Sequence, residues 1–94
     1  MKSLMFAVLA AVGLSVTGVA QASADLAQKS GCTTCHAVDT KKMGPALKDI
    51  AKKYKGQASA EADLVGKLKS GKGHPAVKTS DDDTKALVKW ILSL

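Results

Sequence analysis

Cys32-Thr33-Thr34-Cys35-His36 is the stretch on which the reading of this chain turns. Two thiols three residues apart, followed at once by an imidazole, form the C-x-x-C-H pattern of covalent haem attachment. The thiols can add across the two vinyl groups of one porphyrin, and His36 is then held beneath the iron as its proximal ligand. Other uses of a cysteine pair each lack a required element here. A thioredoxin-like redox pair expects a βαβ setting, and no strand pattern of useful length is present. A zinc site would draw on a second Cys pair, and the chain has two Cys and two His in all. A structural disulfide across two intervening residues would be strained and would close only a trivial loop.

Upstream of the motif the sequence reads as an export signal. Met1-Lys2-Ser3 gives a short positive start, Leu4 to Val16 is almost entirely apolar, and Ala20-Gln21-Ala22-Ser23-Ala24 offers small residues at the spacing of an A-x-A cleavage site. The apolar run is shorter than the ~20 residues of a membrane span. Residues 1–24 are therefore expected to be a secretory signal peptide, cut after Ala24 or, as second choice, after Ala22, leaving residues 25–94 as one mature domain with no integral membrane span. Export also fits the motif, because haem of this type is attached outside the cytoplasm; the expected location is the periplasm.

Composition sharpens the need for a cofactor. The 94 residues hold one Phe, one Tyr and one Trp; Phe6 leaves with the leader, so only Tyr54 and Trp90 remain. A domain this small is marginal even with a good core and usually needs a disulfide, a metal or another staple. A covalently held haem supplies the missing apolar disc. The chain carries 14 basic against 8 acidic residues, and every basic residue is Lys. Arg is the usual choice for bidentate phosphate or base recognition. With no nucleic-acid motif and almost no stacking aromatics, nucleic-acid binding is discounted, and a positive face that docks acidic protein partners fits better.

The remainder reads as all-α, with four short helices joined by Gly-containing loops. The first runs from about Asp25 to Lys29 and continues into the cysteine segment. The second follows Gly44-Pro45, proline suiting a first helical turn; Leu47, Ile50, Ala51 and Tyr54 form its apolar stripe, and Gly56 stands where a C′ residue belongs. The third starts at Ser59 as N-cap, carries Leu64, Val65 and Leu68 on one side, and ends by Gly71. The fourth follows Ser80, with Asp81-Asp82-Asp83 in the first turn where the helix dipole favours negative charge, and with Leu87, Trp90, Ile91 and Leu94 at helical spacing. A calcium loop would instead alternate its ligands around a glycine turn. Lys69–Ser80 is the one long loop.

Taken together, Gly31-Cys32-Thr33-Thr34-Cys35-His36-Ala37-Val38-Asp39-Thr40-Lys41-Lys42-Met43-Gly44-Pro45-Ala46, Gly56-Gln57-Ala58, and Ser80-Asp81-Asp82 with Leu87-Val88-Lys89-Trp90-Ile91-Leu92 resemble the small bacterial class I c-type cytochromes of the c-551/c-552 group. The resemblance covers essentially all of residues 25–94. It implies a small cytochrome c fold around one haem c, bound through Cys32 and Cys35. It also implies that the Pro45 carbonyl accepts from the other ring nitrogen of His36, and that the first helix packs across the last, with Ala27 and Gly31 against Trp90 and Ile91. In this group the second axial ligand is normally a methionine followed by proline, six residues before the serine that caps the last helix. Here that position is His74, followed by Pro75, in a loop shorter than usual that lacks the tryptophan common there. The resemblance therefore implies a bis-histidine haem, His36 on one face and His74 on the other. An open or water-filled site, Lys72, Lys78 and Met43 are the alternatives for the sixth position.

The function expected is that of a non-enzymatic, monomeric, single-electron carrier between redox proteins. Imidazole in place of thioether should lower its potential. Lys41, Lys42, Lys72 and Lys78 near the haem edge would face an acidic partner. Two other readings remain: a haem protein that binds or senses nitric oxide, carbon monoxide or peroxide through a labile sixth ligand, and an electron-entry subunit of a larger complex.

Overall fold

The structure, a computed structural model, describes residues 17–94, with side chains from residue 22 on. The apolar run of the expected leader, through residue 16, lies outside the described residues. Five helices follow in order: α1 (Thr17–Lys29), α2 (Cys32–Cys35), α3 (Leu47–Tyr54), α4 (Ala60–Ser70) and α5 (Asp81–Leu92). There is no strand among the described residues, and no described helix is long and apolar enough to cross a membrane. The expected first helix is two. Gly31 sits in the left-handed region at φ +84°, which ends α1 and starts α2 as a separate turn.

α5 is the centre of the packing, meeting α1, α3 and α4. Its buried face is Thr84, Leu87, Val88 and Ile91, an i, i+3, i+4, i+7 stripe. That stripe is rotated from the expected one. Trp90 is only half-buried and Leu94 is exposed, whereas the small polar Thr84 is inside. The Thr84 hydroxyl donates to the Ser80 carbonyl (2.9 Å) and lies 2.6 Å from the Thr79 hydroxyl, which donates to it. Residue polarity alone hides such a position, because a hydroxyl satisfied by its own helix costs little to bury.

Where α1 crosses α5, Ala27 is fully buried, with Ser23 buried one turn before it. Gly31 does not take part. It is exposed, and a Cβ placed on it would touch nothing; it is a turn residue rather than a packing residue.

The helix ends follow the sequence with two differences. Ser80 caps α5 by accepting from the Asp83 amide at 3.2 Å. Ser59 occupies the N-cap of α4, but its hydroxyl donates to the Asp63 carboxylate (2.9 Å) rather than serving the backbone. Pro45 lies outside α3, one residue before its N-cap Ala46. The first free amides of α3 are taken up from the segment after the haem motif, Leu47 N–H donating to Ala37 O (2.9 Å) and Lys48 N–H to Val38 O (3.1 Å). α4 runs on to Ser70 and ends at left-handed Gly71, so the long loop is shorter than expected, and Val77 N–H pins it to Leu68 O at 2.8 Å. The cap contrast is testable. Ser80→Ala should cost about 1 kcal/mol in urea unfolding of the holoprotein, and Ser59→Ala distinctly less, because only Ser80 serves a backbone amide.

Candidate functional site

α2 is one turn long, so Cys32 and Cys35, at i and i+3, share a face. Both are free thiols, half-buried, on one wall of a cleft of about 350 Å³. Burial pushes the Cys32 thiol above its ordinary pKa, and its backbone hydrogen bond offsets this only in part. The site thus favours an uncharged sulfur, which a thioether is.

His36 follows as the C-cap of α2, with extended backbone (φ −122°, ψ 138°) that turns it off the helix. It is buried. Its Nδ1 lies 2.6 Å from the carbonyl oxygen of Pro45. A carbonyl can only accept, so Nδ1 carries the proton and the neutral ring keeps its lone pair on Nε2. The loop that returns under His36 is fixed at both ends. Gly44 N–H donates to Cys35 O (2.8 Å), and Lys42 Nζ donates to Thr33 O (3.0 Å).

The rest of the cleft is mainly apolar. Leu47, Ile50 and Tyr54 come from α3, Leu64 and Leu68 from α4, Val88 and Ile91 from α5. Two cations, Lys53 and Lys67, also line it. The Gly71–Ser80 loop adds His74 and Pro75 to the lining. The His74 ring is parallel to that of His36, with 4° between planes and 6.0 Å between centroids. Its Nδ1 is 2.7 Å from the Pro75 carbonyl oxygen, so by the same reasoning its lone pair is also on Nε2. Each histidine thus has its Nδ1 proton held by a prolyl carbonyl. Of the other groups considered for the sixth position, Met43 is 85% exposed, and neither it nor Lys72 nor Lys78 lines the cleft.

The model of the family described as cytochrome c matches residues 20–94. The chain belongs to the cytochrome c family. It is 48% identical to cytochrome c-552 of Nitrosomonas europaea, over the whole of this chain and 99% of that protein. It is 40% identical to cytochrome c-552 of Hydrogenobacter thermophilus, over 95% of this chain and 96% of that one. Among solved structures it superposes on the wild-type Nitrosomonas europaea cytochrome c552 with a TM-score of 0.67, covering 76% of this chain and 98% of that one. On the class 1 cytochrome MtoD of Sideroxydans lithotrophicus ES-1 the TM-score is 0.73 at 39% identity, covering 78% and 92%. Cytochromes of this family carry haem c covalently, and this chain has the C-x-x-C-H positions for one such group.

The cleft fits that cofactor. It brings together two thiols, apolar side chains and two imidazoles. Sequence reasoning missed Lys53 and Lys67, two of 14 lysines with no motif to mark them; the fold brings them to the same cleft. It also missed how near Gly44 lies to His36.

Proposed function

We propose that this protein is an exported, periplasmic, monomeric one-electron carrier that holds its single haem c between His36 and His74, at a potential below that of methionine-ligated relatives. The observation that carries the reading is the pair of parallel rings facing one cleft, each with Nδ1 engaged by a prolyl carbonyl. That outer hydrogen bond fixes the ring and raises its basicity, as it does for metal-bound histidines in general. Haem supplies a reversible one-electron couple. The chain's own residues bind it through Cys32 and Cys35, keep Nε2 of both histidines available, and exclude water with the apolar walls. Lys53 and Lys67 offer cations for its two carboxylates.

With both histidines as ligands the haem would have no open position for substrate, which favours electron transfer over catalysis. The membership of the family and the helical cleft both support it. Lys41, Lys42, Lys72 and Lys78 are all exposed and would attract an acidic redox partner, with steering that weakens as salt rises. Cleavage after Ala24, or after Ala22, would cut within α1 and leave residues 25–94 as the mature carrier.

Low-temperature electron paramagnetic resonance of the oxidised holoprotein tests the ligand pair. The expected result is a low-spin signal of bis-imidazole type. A dominant high-spin signal would show an open sixth site and remove the basis for the low potential.

A further inference from the structure

Gly44 is a glycine for want of space, not of backbone freedom. It is not among the glycines with positive φ, which are Gly31, Gly56, Gly71 and Gly73, so alanine could adopt its conformation. What alanine could not do is fit. A Cβ on Gly44 would lie 2.8 Å from Nδ1 and 3.0 Å from Nε2 of His36, and closer still to Cε1. These are atoms of one ring, so the Cα of Gly44 is set directly against the imidazole. Gly44 is itself held, its N–H donating to Cys35 O at 2.8 Å and its carbonyl accepting from Lys42 N–H at 3.1 Å. The ring is therefore constrained twice: by the Pro45 carbonyl at Nδ1, and by the Gly44 backbone beside it.

We propose that Gly44 is a positioning residue that sets the rotation of the His36 imidazole, and so keeps it parallel to His74. The Pro45 hydrogen bond alone leaves the ring free to swing about its bond to the metal by the tolerance of one acceptor, because carbonyl acceptors take donors over a broad range of directions. The Gly44 Cα removes that latitude. On the other side, His74 is fixed by the carbonyl of its own neighbour, Pro75, and the 4° between planes is the joint result. A side chain at position 44 cannot be met by moving a flexible tip. The obstacle is a ring tethered to α2 through the backbone, and the cheapest response is for that ring to turn.

The proposal rests on the bis-imidazole reading, and the electron paramagnetic resonance of ferric holoprotein separates the two. For two imidazoles on low-spin iron, the angle between ring planes sets the splitting of the iron orbitals. Near-parallel planes give three resolved g-values; strongly rotated planes give one steep low-field feature. The unaltered protein should give the first pattern. Gly44→Ala should remain low-spin and shift its largest g-value to lower field, towards the second. Gly66→Ala, where the new Cβ meets nothing, should leave the spectrum unchanged. An unaltered protein without a bis-imidazole signal would defeat the ligand assignment. A bis-imidazole signal that Gly44→Ala leaves untouched would defeat the role of Gly44 alone. Should Gly44→Ala fail to retain haem, nuclear magnetic resonance of the unaltered ferrous protein decides: strong cross-relaxation between a Gly44 α-proton and the Cε1 proton of His36 is expected, and its absence overturns the proposal.

Discussion

His74→Met should raise the reduction potential by about 0.2 V, a quarter of the ~0.8 V over which axial ligands move haem potentials. Thioether sulfur favours ferrous iron relative to imidazole nitrogen. With both rings on the iron, as proposed, the imidazole effect would be reinforced on both sides. Each ring donates its Nδ1 proton to a carbonyl, at 2.6 Å for His36 and 2.7 Å for His74, which enriches the electron density at Nε2 and would stabilise the ferric state. The substitution removes one of these two donors and leaves the other. Position 74 is suited to the exchange because Pro75 restricts the backbone of the residue before it and the Val77–Leu68 hydrogen bond anchors the loop; neither depends on the histidine side chain. Potentiometric titration of the two proteins reads the shift directly. A potential unchanged by the substitution would mean that His74 is not on the iron.

The parts of this site legible in the sequence are those in which chemistry is encoded by spacing. Cys32, Cys35 and His36 fall within five residues, and a one-turn helix is enough to bring them together. His74 stood out through register, six residues before a capping serine and followed by proline; the fold puts it among the residues lining the same cleft as His36, and its role there is the proposal made above. Ser80 likewise caps α5 as its position foretold. What failed was what depends on neighbours remote in sequence. The buried stripe of α5 is set by where α1, α3 and α4 press on it, and three contacting helices select Thr84 and Val88 over the larger Trp90. The first helix breaks at Gly31, whose left-handed backbone (φ +84°) cannot continue α1, and glycine looked there like a crossing contact. Gly44 stood in the sequence only as the residue before Pro45, ahead of the second helix. Its closeness to an imidazole eight positions earlier arises only when the loop folds back and hydrogen-bonds to Cys35.

Removing both thiols, as Cys32→Ala with Cys35→Ala, should abolish cooperative folding. The core among the described residues is thin: of the eight buried apolar residues there, four are alanines, and only Leu47, Leu87 and Val88 among them are large side chains fully buried. A domain of about 70 residues has a total stability of about 4–10 kcal/mol. A vacated cleft of about 350 Å³, at roughly 24 cal/mol per Å³ of cavity, costs up to about 8 kcal/mol, which is as large as the whole margin. Nor can the chain close the gap by collapse. α3 and α4 each pack on α5, and the cleft lies between residues of all three, so filling it would mean breaking the contacts that hold those two helices in place. Each single variant keeps one covalent link and both histidines, and should fold with haem at reduced stability. The double variant should show weak far-ultraviolet dichroism and no cooperative thermal transition. A haem-free chain that kept native helicity and melted in one sharp step would show that the helices carry the fold unaided, and that the cofactor is its cargo rather than its core.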